Sequence, residues 1–341
     1  MAESMNTYNC FTEAYFDLCR QIRDESEFDS SPRGLRVKEK LGVQFRIRKA
    51  RGRLPKIAAR NFSLTYFVAE TLWYLSGSNS TDWISRYASF WKDISDDGKT
   101  ANSAYGARIF RSHPRIGNGK IVQWDYVKEE LRRDPDSRRA VIHIRTPDDS
   151  VVSSKDVPCT LALQFFIRNN HLDLHVNMRS SDIILGLAYD VPAFTTMQEI
   201  LANELGVDLG EYVHTSNSLH CYERDFDMLN DIVEEGSAVF PVNGIFPPDN
   251  EMTPYPKTFP LGELMDIERS INAMSEGEIR DGISPITSEI KASLKDPVAL
   301  ALADDWSSIL LSNRARKLKD EKLAKLKILQ TKDTEYHFFK R

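Results

Sequence analysis

Two runs of residues, LALQFFIR at 161–168 and HLDLHVNM at 171–178, flank the pair Asn169-Asn170. Asparagine accepts the left-handed backbone that a two-residue turn demands. Residues 161–178 therefore predict two antiparallel strands joined by a tight turn, the tightest constraint the chain places on its fold. Further strands are predicted at 41–47 (LGVQFRI), which alternates, and at 140–145 (AVIHIR), a β-branched run. A helix is predicted at 7–23, where Phe11, Tyr15, Leu18 and Ile22 recur at helical spacing. A mostly buried helix is predicted at 63–76, ended by Gly77. Two more follow at 122–133, stopped by DPDS, and at 192–206, ended by Gly206. The strands cluster instead of alternating with helices, so the fold class is α+β.

Near residue 240 the texture changes. FPVNGIFPPDNEMTPYPKTFP is rich in proline and polar residues and reads as a linker or extended surface segment. Residues 286–330 then read as one or two helices, and the charge run RARKLKDEKLAKLK as a solvated helix face. The expected organisation is a catalytic domain over 1–240, a proline-containing linker over 241–285 and a helical extension over 286–341.

The 45 basic and 50 acidic residues leave a net charge of −5, which exerts no general pull toward nucleic acid or an anionic membrane. A small basic pocket for one phosphate remains compatible with that balance. Cys10, Cys19, Cys159 and Cys221 form no C-x-x-C pair, so neither a disulfide framework nor a bound metal is expected. The start, MAESMNTYNCF, lacks a basic segment followed by an apolar one, and no apolar run reaches membrane-spanning length. The expected location is the cytoplasm.

Two residues stand out chemically. Cys159, in VPCT, enters a predicted strand just after a proline; alone, such a cysteine is usually a small buried hydrophobe. Glu70 lies inside the apolar helix AETLWYL, where a carboxylate is costly unless paired or functional. Around them, DPDSRR (134–139), PC (158–159), QFF (164–166), RSSD (179–182), LGLAYD (185–190) and HCY (220–222) follow in order, preceded by AETLWYLSG (69–77), FW (90–91) and AYG (104–106). In order and spacing these blocks resemble the thymidylate synthase superfamily over roughly residues 8–230, with no such match after about 240.

The resemblance implies a mixed β-sheet packed at a homodimer interface, a pyrimidine nucleoside monophosphate as substrate and 5,10-methylenetetrahydrofolate as cosubstrate. It implies that Cys159 adds to C6 of the pyrimidine, making C5 nucleophilic toward a one-carbon electrophile. Arg179 matches an arginine near both phosphate and thiol, and Ser180 a second phosphate position. Arg33 matches the phosphate arginine of the first loop, and Arg138 and Arg139 the pair lent across the dimer. His220 and Tyr222 match the pair that holds the sugar 3′-hydroxyl. Glu70 and Tyr105 match residues that manage protons near the base. Trp91, Asp182 and Gly186 match folate-contacting positions, whereas Trp73 and Tyr74 read as core.

Asp190 stands where thymidylate synthases carry asparagine, and is the pattern of the cytidylate hydroxymethylases. A carboxylate accepts from the exocyclic amine of cytosine, and a proton shared with N3 adds a second hydrogen bond. The alternative reading makes Asp190 a helix N-cap before Pro192. The expected reaction is C5-hydroxymethylation of CMP or dCMP, with thymidylate synthase-like methylation of dUMP or dCMP as the alternative. Thr160, Met178, the Ser216-Asn217-Ser218 segment and the ending YHFFKR depart from the superfamily pattern.

Overall fold

A computed structural model describes residues 5–114, 119–150, 154–239, 251–281 and 285–339. Residues 240–250, the first part of the proline-rich segment, lie outside the described residues, as do the last two of YHFFKR. The main strands are β1 (Val37–Ile47), β2 (Val141–His143), β3 (Thr160–Arg168), β4 (His171–Met178) and β5 (Asp208–Tyr222). With a short strand Asn6–Tyr8 at one edge, they lie in the order 6–8, β1, β5, β4, β3, β2. The sheet is mixed: β5 runs parallel to β4 and antiparallel to β1, while β4 and β3 are antiparallel.

The α+β expectation holds, and so does its anchor. Asn169 and Asn170 take φ of 50° and 64°, a primed turn that sets Arg168 opposite His171. The predicted N-terminal helix begins later, as α1 (Phe11–Asp24), because residues 6–8 pair with β1 instead.

Helix α2 (Leu64–Leu75) is capped by Ser63, whose hydroxyl accepts from the Tyr66 N–H, and ends before Gly77 at φ 67°. Each of its residues is buried, because helices cover it on two sides: α3 (Leu187–Leu205) and, from the C-terminal part, α5 (Pro297–Lys317). Helix α3 starts at Leu187, not 192, with Pro192 inside it. Proline removes one backbone hydrogen bond there. Burial of Leu187, Ala188 and Val191, all 0% exposed, outweighs that local preference.

The C-terminal part is joined to this core. Trp306 of α5 is fully buried, edge-on to Phe67 of α2 and packed against Tyr255 and Phe259. Helix α4 (Leu261–Ala273) presents Glu268, which accepts from Tyr87 Oη at 2.7 Å and Trp83 Nε1 at 3.2 Å. A buried ion-pair cluster ties residue 255 down as well. Glu199 of α3 bonds Arg53, accepts from Arg51 Nε at 2.7 Å and takes the Tyr255 N–H at 3.0 Å. The charge run is split between two helices: α5 ends at Lys317, Lys319 turns at φ 60°, and Asp320 caps α6 (Glu321–Leu329), in which Lys327 is buried and Leu326 and Leu329 are exposed. Ala315, Ala324 and Ile328 face inward, while Lys319, Lys322 and Lys325 are exposed.

Candidate active site

The site begins at the open end of the β3–β4 hairpin. Ala162 pairs with Asn177; carried on unchanged, that register would set Thr160 opposite Arg179. A bulge between Thr160 and Ala162 sets Thr160 opposite Met178 instead. The Arg179 N–H then donates to the Cys159 carbonyl at 2.8 Å. The guanidinium folds onto the loop ahead of the strand, where Nε and Nη2 donate to the Pro158 and Val157 carbonyls at 2.9 and 2.8 Å. Nη1 reaches Ser180 Oγ at 3.1 Å, and that hydroxyl lies 3.5 Å from Cys159 Sγ. Burial pushes the half-buried Cys159 thiol up, while the Arg179 charge and the Ser180 hydroxyl pull it back down.

A second group forms on α2. Tyr66 Oη donates to Glu70 Oε1 at 2.5 Å and Tyr74 Oη to the same oxygen at 3.2 Å. Trp91 Nε1 donates to the Tyr66 hydroxyl at 3.0 Å. Burial raises the Glu70 carboxyl to about 7, the two phenols restraining the rise. The sequence pointed to Glu70 and Trp91, left Tyr66 unremarked and read Tyr74 as core; the structure brings all four together. The available signal was the spacing of the two tyrosines, four residues to either side of Glu70, which puts all three on one helix face.

Tyr105 links these groups. Its ring lies 5.2 Å from that of Tyr74, and its hydroxyl feels the Asp190, Cys159 and Glu70 side chains. Asp190 lies within α3 while Gly186 takes the N-cap position, so Asp190 is not a helix cap. It is 8% exposed, and its carboxyl hydrogen-bonds to none of the described residues. Burial raises it well above the carboxylate range, with the negative charges of Glu70 and Asp182 adding to the effect. A Cβ on Gly186 would come within 3.1 Å of the Asp182 carbonyl and 3.4 Å of Asp190 Oδ2, so a side chain there would crowd this wall.

Asp182 pairs with His220 of β5, and its carboxylate accepts the Ile184 and Leu185 N–H groups at 2.9 and 3.1 Å. The His220 and Tyr222 rings meet edge-on at 5.1 Å. Arg33, in a left-handed turn at φ 55°, donates to Tyr222 Oη at 3.2 Å and is otherwise exposed. Arg138 and Arg139 stand apart: both are exposed on the approach to β2, at the sheet edge opposite β1. The last described residue, Phe339, packs on Phe62, which stacks on Tyr189, itself edge-on to Tyr66. Phe339 thus lies against the aromatic residues that border the Glu70 group. Among the described residues no cluster of His, Cys, Asp and Glu is placed to hold a metal ion, and no helix is long and apolar enough to cross a membrane.

The arrangement offers a thiol beside a fixed guanidinium, two buried carboxyls of raised pKa, and a histidine–tyrosine pair. It can bind an anion, add sulfur to an electrophilic ring carbon and move protons at neutral pH. Comparison with known proteins agrees. The thymidylate synthase family model matches residues 13–252. A deoxyuridylate hydroxymethyltransferase from Bacillus phage SP01 is 34% identical over 239 residues, 68% of this chain. The match spans 62% of that relative, less than two thirds of its length.

Proposed function

The chain belongs to the thymidylate synthase family, and from that premise we propose that it transfers one carbon to C5 of a pyrimidine nucleoside monophosphate, as a cytidylate 5-hydroxymethylase. The observation that carries the proposal is the Cys159–Arg179 pairing, with the unpartnered carboxyl of Asp190 nearby through Tyr105. Arg33, Arg179 and Ser180 hold the phosphate, joined by Arg138 and Arg139 across a homodimer interface. His220 and Tyr222 hold the sugar. Cys159 Sγ bonds to C6, and the C5–C6 electron pair moves onto C5. Glu70 and Tyr105 handle the protons that leave C5 and reach the ring substituent. Expulsion of the thiolate then restores the ring.

The cosubstrate, 5,10-methylenetetrahydrofolate, supplies the carbon at the formaldehyde oxidation level. Trp91, Asp182 and Gly186 would hold it. Leu185 beside Gly186 and Phe90 beside Trp91, 52% and 43% exposed, offer apolar surface that suits the aromatic ring of its aminobenzoyl part. Water completes the hydroxymethyl group.

Asp190 reads the cytosine edge. With its proton retained, the carboxylic acid donates to cytosine N3 and accepts from the exocyclic amine. A second reading, a uridine nucleotide as substrate, is favoured by the phage relative, which is a deoxyuridylate hydroxymethyltransferase. A neutral carboxylic acid rotated by half a turn donates to uracil O4 and accepts from N3–H, as an amide does.

The test supplies CMP, dCMP, UMP and dUMP, each tritiated at C5, with methylenetetrahydrofolate, and weighs the products. Tritium release from a cytidine nucleotide with a hydroxymethyl mass gain is expected, and its loss in Cys159→Ser. Hydroxymethylation of a uridine nucleotide alone would establish the second reading. A methyl gain with dihydrofolate release would replace both with thymidylate synthase-like methylation.

A further inference from the structure

The hydrogen bonds around Glu70 have a direction, and one group sets it. An indole N–H can only donate. Trp91 Nε1 therefore makes the Tyr66 oxygen an acceptor and turns its proton toward Glu70 Oε1. Tyr74 sends its proton to the same atom. Oε1 thus receives two phenolic protons, whereas Oε2 makes no hydrogen bond to the described residues.

We infer that Tyr66 and Tyr74 are positioning residues: their hydroxyls clasp Glu70 Oε1, confine the exchangeable proton of the carboxyl to Oε2, and set the pH at which it leaves. The inference rests on Glu70 acting in the reaction proposed above. Two acceptor sites on Oε1 are filled, so a proton there would break one phenolic bond, whereas a proton on Oε2 breaks none. The clasp also holds the carboxyl in one rotamer, so the trading atom is always the same one.

Other groups act on the same carboxyl. Asp190 of α3 and Tyr105, of the helix Tyr105–Phe110, face it as well, and the Glu70 charge opposes the ionisation of both. Tyr189 of α3 packs edge-on to Tyr66 and keeps that phenol from swinging away. Among the described residues, only the two phenols on α2 favour the charged form, by donating to it. Removing them moves the titration of Glu70 upward.

The experiment uses the full chain without substrate. The carboxylic C=O stretch of Glu70 is assigned by infrared difference against Glu70→Gln and followed with pH. It should vanish with a midpoint near 7 in the wild type. In Tyr66→Phe and Tyr74→Phe the midpoint should rise by about half to one pH unit each, and further in the double variant. Both changes remove one oxygen and keep the ring, and unchanged thermal unfolding would show that the fold is kept.

The tritium-release rate should show the same displacement of its Glu70-dependent limb, with KM for the nucleotide nearly unchanged. An unmoved C=O midpoint in both single variants would overturn the clasp. A moved midpoint with an unmoved rate profile would overturn its bearing on the reaction. If the wild type modifies none of the four nucleotides, the proposed reaction falls, while the infrared titration still decides the clasp.

Discussion

Glu70 is 5% exposed in a helix whose every residue is buried, and its carboxyl titrates near 7 instead of 4.5. The folded chain therefore holds a proton there that the unfolded chain has lost. That contribution to stability is full below pH 4.5 and is lost as pH rises to 7, by up to about 3 kcal/mol. Glu70→Gln keeps the acceptor for the two phenols and cannot ionise. Its urea midpoint relative to wild type should therefore improve between pH 4.5 and 8, although C5 tritium release is lost. Asp190 poses the matching question for the base. Asp190→Asn restores an amide, and should lower kcat/KM for cytidine nucleotides by about 10- to 100-fold while raising it for uridine nucleotides. Steady-state assays on all four nucleotides check this. Glu70 stood out in the sequence because a carboxylate is out of place in an apolar helix, whereas Cys159 was read from the order of motifs around it and Asp190 from its departure from the family asparagine. Tyr66 and Tyr74 did not stand out, because a tyrosine in an apolar helix resembles any core aromatic until its hydroxyl has a partner.

Strand β5 shows how an element fixes protonation states. His214 is fully buried in it, stacked on Phe45 at 5.1 Å, with Nδ1 2.9 Å from Tyr212 Oη and Nε2 3.3 Å from Ser181 Oγ. Burial lowers its pKa to about 3. The unfolded chain takes up a proton below about 6.5 and the folded chain does not until about 3. Stability from this residue is thus complete above pH 6.5 and lost as pH falls toward 3, by up to about 5 kcal/mol. His214→Gln should flatten that part of the acid limb, read as a smaller fall in urea midpoint between pH 6.5 and 4. The strand itself was not predicted from the sequence, where HCY entered only as a motif of the resemblance. Its first half is bulged between Leu209 and Tyr212, and the shift hides any simple alternation.

Across the whole molecule, the C-terminal helices complete the core that the active-site helix needs. Helix α2 cannot face water on its Phe67 side, and Trp306 of α5 covers it. Trp306→Ala should cost about 3–5 kcal/mol, measured by urea unfolding. A chain ending at residue 284 would uncover α2 and leave Thr65 Oγ1 without the Ile309 carbonyl, 3.3 Å away. It should lose cooperative thermal unfolding. A chain that kept a sharp transition without these helices would contradict this account of the core.

Short-range features were decided by the sequence itself. Asn169-Asn170 made the turn, and Gly77 and Gly206 ended their helices in left-handed backbone, because those conformations depend on the residue and its immediate neighbours. The tertiary structure decided the rest. It started α3 at Leu187 despite Pro192, since buried area outweighs one missing hydrogen bond. It laid α5 over α2 across more than two hundred residues of chain. It also placed the bulge that brings Cys159 opposite Arg179, because pairing at the open end of a hairpin is set by what packs around it as much as by its turn.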